Sequence, residues 1–224
     1  MKFFTKKRIV LFLLFIFPLI CFLLLSTGEN NFKKLPVVTE NIIDVSEIDA
    51  SNKVNLKDHV SVVCFLGENI NRNKSGLLNL NEKIYKKFLD FKKFQIVAIY
   101  PIGSENEVNV LKEQLGSFTD MEKWVFVASS PEEIQGFYES FNVKEPLVKL
   151  SSTKAFLVDK AVNLRGRTND EDAEDGKLYG YNMNSVSVLK SKLKDDINVL
   201  FYEYYAAFKV KNKNKADRKE VGYE

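Results

Sequence analysis

The sequence predicts an α/β fold, a mixed central sheet flanked by helices, behind a single N-terminal transmembrane helix. Three observations predict it. Short apolar runs of strand type alternate with stretches whose apolar residues recur every three to four positions. Two extended runs lie side by side late in the chain. An unbroken apolar run, Ile9 to Leu25, follows Lys6-Lys7-Arg8.

Seventeen residues of helix reach about 26 Å, close to a hydrocarbon core of roughly 30 Å. Bases before the run and mixed charges after it (Glu29, Lys33, Lys34) place the N-terminus in the cytoplasm and the main domain outside it, on the periplasmic side if the source is bacterial. An uncleaved signal anchor over residues 1–28 is favoured, because the run exceeds a signal-peptide apolar core of about 7–15 residues. Cleavage after Ser26-Thr27-Gly28 is a second reading. Lipidation at Cys21 is a third, and Ile20 stands where a small residue is required.

Residues 29–52 read as a polar tether leading to an edge strand or loop. The first core strand is Val60–Leu66. A helix follows over about Ser75–Phe88, with Leu77, Leu80, Ile84 and Phe88 on one face. Phe94–Tyr100 is the second core strand, and Trp124–Ala128 the third. Ser104…Glu107 and Ser130-Pro131-Glu132-Glu133 both fit capping boxes that open helices. Val108, Leu111 and Leu115 face inward from the first helix, and Ile134, Phe137, Tyr138 and Phe141 from the second. Ala155–Asp159 and Val162–Arg167 predict a hairpin turning at Lys160-Ala161. A final helix, Ser187–Phe208, shows an apolar face of Leu189, Leu193, Ile197, Leu200, Phe201, Tyr204 and Phe208. Residues 209–224 read as a basic flexible tail. The order β-α-β-α-β-α-β-β-α over residues 53–208 is the thioredoxin-like plan with an extra helix.

Composition narrows the function. The chain has 224 residues, 45% of them hydrophobic and 28% charged, so a sizeable core is available. Without the four bases of residues 1–28 the count is 29 basic against 30 acidic. A nearly neutral domain speaks against nucleic-acid binding. The main domain holds one cysteine, Cys64, so it can form no internal disulfide.

The run Val62–Leu66 into a polar loop, the hairpin Phe156-Leu157-Val158-Asp159-Lys160-Ala161-Val162-Asn163-Leu164-Arg165-Gly166, and the single anchor together resemble the SenC/Sco family. Members of that family are membrane-tethered thioredoxin-like proteins that deliver copper to cytochrome oxidase. The hairpin is similar to the family's F-L-V-D-x-x-G-x-L-R-G stretch, and the resemblance covers roughly residues 55–208. It implies a copper site of two cysteines, C-x-x-x-C, after the first core strand and a histidine before the hairpin. Those positions fall here at Asn69, Asn73 and Ser151. Thiolate and imidazole suit copper; two amides and a hydroxyl do not. No shift of register restores the ligands, because residues 65–224 contain neither cysteine nor histidine.

Cys64 lies mid-strand and reads as an inert core thiol. His59, the only histidine, reads as a strand-edge residue. Asp170-Glu171-Asp172-Ala173-Glu174-Asp175 reads as a solvated acidic loop, with weak calcium binding as the alternative. Tyr202, Tyr204, Tyr205 and Phe208 read as packing, or as a partner patch if two or more stay exposed. No P-loop, nucleophile elbow, dinucleotide fingerprint or metalloprotease motif is present. The expectation is a degenerate family member: not an enzyme, without cofactor, metal or catalytic residue, and held to the membrane by residues 9–25. Its expected role is binding or assembly with a protein partner. The alternative is thiol or copper handling through substitute residues, Cys64, Met121 or Met183.

Overall fold

The computed structural model describes residues 6–26, 34–49, 53–173 and 175–220. They fall into two compact units, residues 1–33 and 34–224.

The first unit is helix α1, Lys6–Ser26, with Pro18 inside it. Val10, Phe15, Phe22 and Leu24 on it are each at least 63% exposed. Among the described residues, no helix is long and apolar enough to cross a membrane.

The second unit is built on a seven-stranded sheet. Its strands are β1 (Val37–Thr39), β2 (Val60–Leu66), β3 (Phe94–Pro101), β4 (Trp124–Ser129), β5 (Ser151–Val158), β6 (Leu164–Arg165) and β7 (Tyr181–Asn182). The order is β1-β6-β5-β2-β3-β4, with β7 paired to β5. Strands β2, β3 and β4 are parallel, and β5 runs antiparallel to β2. Strand β2 is buried along its whole length because both faces of the sheet are covered.

Alternation along the strands sorts the core into two layers. Val62, Cys64 and Leu66 face one side, under α2 (Lys74–Leu80), α3 (Lys86–Phe88), α4 (Glu105–Gly116) and the C-terminal helices. Those C-terminal helices are α6 (Val186–Val188) and α7 (Lys194–Glu220). Val63 and Phe65 face the other side, under α5 (Pro131–Glu139) and the apolar side chains of Ile42, Val45, Ile48 and Leu56. A π-helical turn, Asn81–Tyr85, joins α2 to α3, and another, Leu189–Leu193, joins α6 to α7.

The strands, helices and buried faces expected from periodicity are present, except that Phe208, expected on the inward face of the last helix, is 62% exposed; four further details differ. The segment expected as a tether over 29–52 belongs to the domain from Lys34 onward: Leu35, Ile42, Val45 and Ile48 are buried, and β1 pairs with β6. Residues 29–33 and 50–52 of that tether lie outside the described residues. The box at Ser130 forms in full, with Pro131 at the first turn, whereas Ser104 makes no side-chain cap. There, Glu105 turns back to accept from the Gly103 N–H at 3.0 Å. The hairpin turn is wider than Lys160-Ala161: Asp159 accepts from the N–H groups of Ala161 (2.9 Å) and Asn163 (3.0 Å), and β6 holds only two residues. Helix α7 continues to Glu220, beyond the expected end at Phe208. Lysine, alanine, arginine and glutamate are good helix formers, and no glycine or proline interrupts them before Gly222.

Candidate functional site

The loop after β2 meets the start of β5. Gly67 adopts φ +72°, which a residue without a Cβ does cheaply. A Cβ there would lie 2.6 Å from the Lys149 carbonyl oxygen, so glycine also permits the close approach. The Glu68 N–H donates to that oxygen at 3.2 Å. On the β5 side, Val148 and Ser151 exchange backbone hydrogen bonds around Lys149 and Leu150, both at positive φ (51° and 60°). A two-residue turn of that handedness normally carries Asn-Gly, so the pair holds local strain beside the site.

This geometry unites two of the three inferred ligand positions. Asn73, at the entrance to α2, is 1% exposed. Its Nδ2 donates to Ser151 Oγ at 2.7 Å and to the Ser152 carbonyl at 2.8 Å. Its Oδ1 is buried and makes no hydrogen bond. Ser151 is buried as well. Asn69, in contrast, is exposed and makes no side-chain cap. The residues do not fit a copper ion: two amides and a hydroxyl replace the soft donors, one inferred position is exposed, and the amide at another is already bound to β5. Among the described residues, no cluster of three or more His, Cys, Asp or Glu side chains is placed to hold a metal.

Beside Asn73 and Ser151 lies a shallow pocket of about 160 Å³, lined by Arg72, Pro146, Val148, Ser151, Ser152 and Thr153 among others. Arg72 and Val148 are exposed. Tyr138 also lines it; its hydroxyl donates to the Glu145 carbonyl at 2.6 Å, and burial pushes its pKa up to about 12. Glu145 borders a second hollow of about 370 Å³, together with Lys144, Lys154, Asp172, Asp175 and Tyr179.

Cys64 stands in mid-sheet, between Ala98 of β3 and Ala155 of β5. It is fully buried, and burial drives its thiol pKa far up. Its S–H points to Met183 Sδ at 3.8 Å. Met121 is half-buried and does not join that contact. His59 Nδ1 lies 3.0 Å from the Lys57 carbonyl.

The acidic loop is less solvated than expected. Asp170 is buried and paired with Lys192, which also donates to Asp172 at 2.7 Å. Lys144 donates to Asp175 at 2.7 Å. Glu174 lies outside the described residues. Composition alone does not show that lysines from other elements neutralise this loop. These lysine bonds hold the carboxyls of Asp172 and Asp175 below the usual carboxylate range. A lowered folded pKa stabilises above the unfolded value and ceases to do so as pH falls through the folded one. The loop is therefore latched above about pH 4 and released below it. Protection factors of residues 170–173 and 175–177, taken relative to the intrinsic exchange rate at each pH, should fall on acidification through that window, ahead of those of the core strands; a uniform response would contradict the latch.

Of the aromatic residues on the last helix, Tyr204 packs on the core, and its hydroxyl accepts the Lys160 N–H at 3.0 Å. Tyr205 and Phe208 stay 55% and 62% exposed.

No family model matches the chain, and no curated protein does. Solved structures do. A candidate protein disulfide isomerase from Bacteroides thetaiotaomicron superposes with TM-score 0.50 at 12% identity, over 79% of this chain and 99% of that one. A SCO1/SenC family lipoprotein from Bacillus anthracis gives 0.48 at 17% identity, over 75% and 98%. A protein described as an electron transfer protein from Aquifex aeolicus gives 0.47 at 12%, over 75% and 92%. With the sheet order above, the first superposition establishes a thioredoxin-like α/β fold. In this chain the fold carries a single cysteine, in mid-strand, in place of a reactive pair.

Proposed function

We propose that the chain is a membrane-tethered, extracytoplasmic thioredoxin-like domain that acts by binding a protein, as a docking or assembly factor for an envelope or respiratory complex. The observation that carries this reading is the pair of hydrogen bonds from Asn73 to Ser151 and Ser152. The side chain at an inferred thiol position is used to close the loop onto β5. What remains at the surface is a shallow polar recess beside the exposed Arg72. A recess of that size suits one or two side chains of a partner better than a buried small molecule. Residues 9–25, with the bases before them, support the tether and the orientation. The choice of a respiratory or envelope complex rests on the hairpin's resemblance to the SenC/Sco family.

A second reading, thiol or metal handling by Cys64 with Met183, draws on the 3.8 Å contact of two soft donors. Complete burial and a raised thiol pKa oppose it. Three measurements on the full-length protein separate the two. A photocrosslinker at Thr153 should capture one discrete protein from membranes, and Arg72→Glu should reduce the capture. Cys64 should react with a thiol reagent only after denaturation. Cu(I) titration should show no tight stoichiometric binding. Rapid native labelling of Cys64, or tight one-to-one copper binding, would overturn the binding-only reading.

A further inference from the structure

The two edges of the sheet are not alike. Strand β1 is three residues long and its pairing with β6 is irregular, which blunts that edge. Strand β4 is six residues long and pairs with β3 in unbroken register. Residues 124–131, Trp-Val-Phe-Val-Ala-Ser-Ser-Pro, hold no charge, and the only proline follows the strand.

The hydrogen bonds at both ends of β4 show which of its groups face outward. The Lys123 carbonyl accepts from Ile96 at 2.8 Å, and the Ser129 carbonyl accepts from Ile102 at 3.0 Å. In a parallel ladder these groups alternate, so residues 123, 125, 127 and 129 bond to β3. The N–H and C=O groups of Phe126 and Ala128 therefore point away from the sheet. Among the described residues, no backbone bond from another element reaches them. Phe126 and Ala128 are only half-buried. Exposed apolar residues flank the strand in sequence and in pairing: Phe118 (60%) precedes it, and Ile102 (65%) is bonded to its last residue.

We propose that β4 is a dimerisation edge, at which two copies of this chain pair antiparallel to form one continuous sheet. The occupant is a second copy because the strand complements itself about a two-fold axis at Val127. Phe126 then opposes Ala128 of the second copy, and Trp124 opposes Ser130, so each aromatic meets a small residue. Phe126 and Ala128 exchange N–H···O bonds in both directions, and residues 124–130, which pair, include no charged residue. Pairing about Phe126 would instead bring together two rings that each carry a Lys112 ammonium 4.7 Å from the centroid. A two-fold pairing is closed, and the blunted β1 edge stops growth at the dimer.

The test is sedimentation of the full-length protein in detergent, with amide exchange of residues 124–129 across a concentration series. A dimer is expected, with the Phe126 and Ala128 amides protected more as concentration rises. Ala128→Pro removes an outward N–H and no bond of the sheet itself; Phe126→Lys places a charge on the edge. Each variant should keep its circular dichroism and weaken dimerisation about tenfold or more, as loss of one or two hydrogen bonds implies. Three results would overturn the proposal. They are a monomer throughout the series, a dimer that survives both variants and so uses another surface, and protection at 126 and 128 independent of concentration.

Discussion

Asp196→Ala is expected to lower the unfolding free energy by about 3–5 kcal/mol, the cost of breaking a buried charge network by removing one partner. Asp196 is 5% exposed. It accepts from the Tyr181 hydroxyl at 2.7 Å, from Arg167 Nε at 2.8 Å and from Arg167 Nη2 at 2.9 Å. Tyr181 is fully buried, so the alanine variant leaves its hydroxyl without an acceptor and a half-buried guanidinium without its partner. Burial and the neighbouring carboxylate already hold the Tyr181 phenol well above its ordinary pKa, so it cannot ionise to relieve the loss. The contact also crosses the fold: it fastens α7 to β7 and to the segment after β6. In thermal unfolding the drop should be about 6–20 °C. Asp196→Asn keeps one acceptor and should fall between the two. A loss under about 1 kcal/mol, as for a surface ion pair, would show that the network does not hold the helix.

Phe65→Ala is the second large effect, again about 3–5 kcal/mol. Phe65 is fully buried on the α5 side of the sheet. Its ring meets Phe137 (5.9 Å), Tyr138 (5.1 Å, edge-on), Phe141 (5.7 Å, edge-on) and Phe156 (5.8 Å, edge-on). Truncation loses the transfer free energy of the ring and leaves a cavity whose four aromatic walls support one another and collapse poorly. Phe65→Leu keeps most of the volume and should cost under half as much. Phe65 is also two residues before Gly67, and Tyr138 lines the recess beside Ser151. The alanine variant should therefore loosen the candidate site, seen as faster amide exchange at 67–73 and 148–153 than Phe65→Leu produces. Equal stability of the two variants would sink the argument from the aromatic cluster.

The site was half legible in the sequence. The strand before it and its lack of cysteine mark the loop after β2, and the resemblance to the SenC/Sco family points to Asn73 and Ser151, which meet in space. The hydrogen bond between them spans 78 residues, and no local pattern encodes such a distance. Asn69 occupies the corresponding position one turn earlier, yet it faces solvent. The strained Lys149-Leu150 turn carries none of the Gly or Asn residues by which such turns are recognised. Arg72 looked like any polar loop residue until the turn before β5 made a recess beside it.

The sequence by itself determined the elements, because their signals are local. Strand β2 reads as buried from seven successive residues, and α5 from its capping box and apolar stripe. The absence of a thiol pair and the apolar N-terminal run are likewise properties of composition. Only the tertiary structure decided how partners far apart in the chain meet. It paired β1 with β6, neutralised the acidic loop with Lys192 and Lys144, and joined Asp196 to Tyr181 and Arg167. It also left β4 as the open edge. Hydrophobic period and capping act over a few residues, whereas charge pairing, strand order and edge exposure depend on which distant surfaces the packed core brings together.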